Sequence, residues 1–157
     1  MKKVFLLVLG FVLVFALAAQ ALETTLIDTR NEIFQNAQEM KSYFATTRDP
    51  VLLNNMWDSS IMAISQLDAY FTMLAIFNTI KKEETDTVAV GYLVKWLNQV
   101  KDSTAMEVKS LDAVTKTSDA RSKALMAKSK TLFNNLIARI GKELETVNQY
   151  QQTLKKQ

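Results

Sequence analysis

Four long stretches of the chain repeat their apolar residues at intervals of three and four, the spacing that lines one face of an α-helix. The first covers residues 23–46. Leu26, Ile33, Ala37, Met40 and Phe44 form its stripe, broadened by Ile27 and Phe34, and Asp28, Glu32 and Glu39 lie on a separate face. TTRDP at 46–50 ends it, and Asp49 with Pro50 suits the cap and first turn of the next helix. That second helix is predicted over 50–82, with Leu53, Met56, Trp57, Ser60, Ile64, Leu67, Phe71, Leu74 and Asn78 on one side. The charged connector KKEETD leads to a third helix over 87–114, striped by Val90, Leu93, Val94, Leu97, Val100, Thr104, Val108 and Leu111. TKTSD supplies a turn and a cap at Ser118 or Asp119. The fourth helix is predicted from Ala120 to Thr153, with Leu125, Leu132, Phe133, Leu136, Ile137, Ile140, Leu144 and Val147 inward.

Short connectors between helices of similar length imply antiparallel neighbours. The expected fold is therefore all-α, an up-down-up-down antiparallel four-helix bundle.

One stretch breaks the amphipathic rule. After Asp68 the second helix loses its polar face. Tyr70, Phe71, Met73, Leu74, Ile76, Phe77 and Ile80 point around the whole axis. A helix apolar on all sides needs neighbours on all sides. Twelve residues reach only about 18 Å, short of the roughly 30 Å of a bilayer core. Either the bundle covers this segment, or a patch around Met73, Ile76 and Ile80 binds something.

The first 21 residues stand apart from the bundle. Lys2 and Lys3 precede an apolar run from Val4 to Ala18, and Ala19-Gln20-Ala21 is an A-x-A cleavage pattern. This reads as an export signal, leaving a domain over 22–157 in the periplasm or outside the cell. Retention of the leader as an anchor is the competing reading, weakened by the shortness of its apolar run. No cysteine follows the cleavage pattern to carry a lipid, and none is present anywhere to form a disulfide. Stability must come from packing.

Composition removes most chemistry. The chain has no histidine and no cysteine. That excludes histidine-based triads, N/S zinc sites, Glu-x-x-His di-iron sites and haem attachment. Glu83, Glu84 and Asp86 lack the glycine-shaped loop of a calcium site. No catalytic residue, metal ligand or cofactor site is assigned, and the chain reads as a non-enzyme. The formal charge of +3 includes Lys2 and Lys3, so the exported domain is near neutral and nucleic acid is not an expected partner. The six methionines beyond the leader form no M-x-x-M cluster and read as core filling rather than thioether ligands for copper.

Charge is nonetheless uneven. Residues 22–94 carry 5 basic and 10 acidic side chains, and residues 95–157 carry 12 and 6. On the fourth helix Arg121, Lys128 and Arg139 fall within about 20° of one another beside the apolar stripe. They form either a basic rail for an acidic or anionic-lipid partner, or a set of side chains whose stems cover the core edge and whose charges meet the first helix, for example at Glu32.

In outline the pattern resembles two kinds of periplasmic bundle, the haem-carrying cytochromes and the Spy-like chaperones. The first use a haem-ligating histidine and the second carry L-T-x-x-Q motifs. Neither feature is present, so the resemblance is one of architecture only.

Two functions are expected from these observations. The first is a non-enzymatic interaction protein that pairs with itself or an envelope partner through Met73, Ile76 and Ile80. The second is a carrier of a small hydrophobic ligand or lipid, held between helices where Tyr70, Phe77, Tyr92 and Trp96 gather at one pole.

Overall fold

In the computed structural model, residues 25–79, 86–113 and 119–154 are described. They form four helices: α1 (25–43), α2 (Pro50–Thr79), α3 (Asp86–Ala113) and α4 (Ala120–Leu154). No strand is present among them. The helices follow the apolar periodicity, but the third runs from Asp86 rather than Thr87, and the first ends at Tyr43 rather than Thr46, so Phe44 falls in the turn and is exposed, as are Ile27 and Phe34 on the flank of α1 away from its core stripe.

Side-chain pairs fix the packing as that of an antiparallel bundle. Residues late in α1 meet residues early in α4, where Tyr43 bonds Asp119 and Asn36 bonds Ser129, and the start of α1 meets the later half of α4, where Arg139 bonds Thr25. Arg30 of α1 reaches Asp68 of α2. Ser59 and Gln66 of α2 meet Glu107 and Ser103 of α3, and Asp112 of α3 meets Lys130 of α4. Tyr70 and Glu143 join α2 to α4, in parallel register.

The core is the sum of the four stripes. Leu26, Leu53, Leu67, Val90, Leu97, Val100, Leu136 and Ile140 have no exposed surface at all. Each such side chain contributes about 1.5–3 kcal/mol relative to exposure, against the entropy of ordering the chain. Ser60 and Thr104 also sit inside, where each hydroxyl donates to the carbonyl four residues earlier, at Met56 and Val100. Asn36 and Ser129 form a buried pair at 2.8 Å that ties α1 to α4 at one register.

One end of the bundle closes on a single carboxylate. Asp119 caps α4 by accepting from the N–H groups of Arg121 and Ser122 at Oδ1. Its Oδ2 accepts from the Tyr43 hydroxyl, the Thr47 hydroxyl and the Arg48 N–H, all from the α1–α2 turn. These donors, led by the Tyr43 hydroxyl, hold the Asp119 carboxyl well below the usual carboxylate range against the opposing effect of its burial. The same bond, with burial, raises the Tyr43 phenol above its ordinary value. Arg121 lies over the Tyr43 ring at 4.6 Å. Asp49 precedes Pro50 as expected, and its carbonyl accepts from Leu53 N–H to start α2.

Candidate functional site

The last turns of α2 carry the feature that the sequence singles out. The helix buries Leu53, Met56, Ser60, Ala63, Ile64, Leu67 and Tyr70, and nothing after Tyr70. From Phe71 to Thr79 every described residue is partly or fully exposed, although the run is apolar. Phe71, Met73, Leu74 and Phe77 pack against the core with one flank, and Ile76 stands 54% exposed. An 18-residue stretch of α2 has a mean hydropathy of 1.4, which makes the helix apolar enough to cross a membrane by length and composition, and 33% of that stretch is buried.

The residues proposed to act together divide into three groups. Tyr70 is not at the surface. It has no exposed area, and its hydroxyl donates to Glu143 Oε1 at 2.5 Å inside the bundle. Glu143 is itself buried. A tyrosine sits inside when its polar tip finds a partner, and here α4 supplies one. Trp96 is half-buried and pinned to α2, its indole N–H donating to the Gln66 carbonyl at 3.0 Å. Phe77 meets Tyr150 edge-on at 6.1 Å. Tyr92 faces solvent on α3, 64% exposed, on a stripe with Val88 and Met106 that Lys95 and Asp102 interrupt. Ile80 lies outside the described residues. Ile76 remains outward-facing, with Met73 beside it half-buried against the core.

These aromatic side chains do not surround a common cavity: Tyr70 points in and Tyr92 points out. Only a shallow surface groove with no interior room for a water molecule lies at mid-bundle, where Ser59, Met62, Ala63 and Gln66 face Ser103, Thr104, Glu107 and Phe133. Ser59 and Gln66 bond Glu107 and Ser103 across it.

The three basic residues on α4 all engage α1. Lys128 pairs with both carboxylate oxygens of Glu39 at 2.9 and 3.0 Å, not with Glu32. Arg139 donates to the Thr25 carbonyl at 2.7 Å and to the Thr29 hydroxyl. Arg121 stacks on Tyr43. They bridge α1 and α4 along their seam instead of presenting a row of unengaged charges.

No group of three or more acidic residues that could hold a metal ion occurs among the described residues. Sequence reasoning gave no role to Glu143. Its signal was its position: a carboxylate three residues after Ile140, inside the apolar stripe of α4. No family model matches the chain, and no curated protein or solved structure matches it significantly.

Proposed function

We propose that this chain is an exported, non-enzymatic interaction protein that docks through the outer face of α2 around Met73 and Ile76. The observation that carries the reading is the contrast within one helix. Seven residues up to Tyr70 are buried, and none from Phe71 to Thr79 is, in a run with no charged side chain. Apolar surface exposed over consecutive turns is the usual mark of a surface that another macromolecule covers. Export places that partner in the envelope or outside the cell, and the exported form begins at Leu22.

The test is covalent capture in the host. A photoreactive residue placed at position 76 should give an adduct of one discrete mass with a protein. The same residue at Gln99, on the outer side of α3, should not. Met73→Glu should abolish the adduct while leaving the helical content unchanged. Equal labelling from both positions, or none from position 76, would overturn the reading. Mass analysis of the exported chain checks the start at Leu22.

A further inference from the structure

We propose that the occupant of the α2 face is a second copy of this chain, packed antiparallel about a two-fold axis at Ala69; this rests on the docking role just given and names its partner. The inference comes from the spacing of what α2 turns outward. Met62 and Ile76 lie seven residues either side of Ala69, and Ser65 and Met73 lie four either side. Seven residues bring a helix to within about 20° of the same direction, so Met62, Ala69 and Ile76 form one seam roughly 180° from the buried stripe. Met62 is 42% and Ile76 54% exposed, and Ala69 between them is partly exposed.

A seam that is symmetric about a small residue matches its own reverse. When two such helices cross antiparallel at Ala69, Met62 of each copy meets Ile76 of the other, while Ser65 and Met73 border the seam on opposite flanks. Alanine at the centre lets the two backbones approach closely, and the larger side chains fill the space on either side. A two-fold interface uses the same patch on both subunits, which is the self-match required here. The seam spans about 21 Å at 1.5 Å per residue.

Charge supports a like partner. Between Ser59 and Thr79 the only charged side chain on α2 is Asp68, and Arg30 neutralises it through two hydrogen bonds at 2.9 and 3.0 Å. Ile27 and Phe34 of α1 lie three residues before and four after Arg30, on the same flank, and the Arg30 guanidinium sits 5.7 Å from the Phe34 ring. Both are about two-fifths exposed. They widen the apolar face beyond one helix toward the roughly 1,000 Å² that a stable pair requires. The outward stripe of α1 also carries the uncharged Asn31 and Gln38, and its one lysine, Lys41, comes seven residues beyond Phe34, far from the axis. Two such faces therefore meet without like charges opposed. By contrast, the outer stripe of α3 carries Lys95 and Asp102 between its apolar residues.

The absence of native cysteine makes the register directly testable on the full exported chain. Under mild oxidation, Ala69→Cys should form a covalent dimer with itself, because the axis places residue 69 opposite residue 69. Met62→Cys alone and Ile76→Cys alone should not. A mixture of the two should give the crossed dimer. Sedimentation of the unmodified protein should give twice the chain mass, and Met62→Glu should return it to the monomer with its helical content intact. A monomer at all concentrations overturns the second copy as partner. If position 76 still captures a protein of another mass in the host, the docking role stands without it. A dimer that Met62→Glu leaves intact, with no covalent product at position 69, overturns the geometry.

Discussion

The hydroxyl of Tyr43, at the end of α1, lies 2.6 Å from Oδ2 of Asp119, the residue that caps α4. A helix cap and a long-range tie are thus one carboxylate. Because donors surround it, its pKa is lowered in the folded state. A lowered carboxylate pKa contributes stability that is present above the unfolded value of about 3.9 and is lost as the pH falls below it. Thermal unfolding should show the midpoint falling as the pH drops below about 4. Asp119→Asn should lower the midpoint at neutral pH and flatten that acid slope. The raised phenol of Tyr43 acts at the other limit: its contribution is present below about pH 10 and lost as the pH rises beyond it, so Tyr43→Phe should flatten the alkaline slope.

Tyr70→Phe tests the internal bond to Glu143. The ring still fills its place, and only a donor to a buried carboxylate is removed. The expected cost is about 1–3 kcal/mol in denaturant unfolding. A neutral result would mean that the carboxylate gains nothing from the hydroxyl.

Two positions nine residues apart on α2 should respond oppositely to truncation. Leu67→Ala removes a side chain with no exposed surface and should cost about 2–5 kcal/mol. Ile76→Ala trims a side chain more than half in solvent and should change monomer stability by less than about 0.5 kcal/mol. Equal losses at the two sites would show that the end of α2 is part of the core.

Gly141 sits inside α4 with ordinary helical backbone, and a Cβ added there would meet nothing within 4 Å. Gly141→Ala should therefore stabilise the protein by about 0.5–1 kcal/mol, read as a higher unfolding midpoint. A loss would mean that the space beside Gly141 is filled in solution.

How far the sequence revealed this depends on the range of each interaction. The helices and their inward faces were legible because periodicity is local: Leu53, Met56, Ser60, Ile64 and Leu67 were placed inward by spacing alone, and all are buried. The place of Tyr70 was not legible. Its fate depends on Glu143, 73 residues away, and neither residue names the other. Lys128 presented the same difficulty. Spacing put it beside the core, and only the register of α1 against α4 selects Glu39 over Glu32. The oily end of α2 was visible as a run of letters. Which of its sides stays outside became visible only once Leu67 and Tyr70 had set the helix rotation.

The carboxylate at position 119 also bears on the order in which the protein assembles. It collects donors from the first turn of the bundle, yet it enters the chain after three helices have already been made. A fragment ending before it would leave Tyr43, Thr47 and Arg48 without that acceptor. The turn between α1 and α2 therefore has its full set of hydrogen bonds only when the start of α4 is in place beside it.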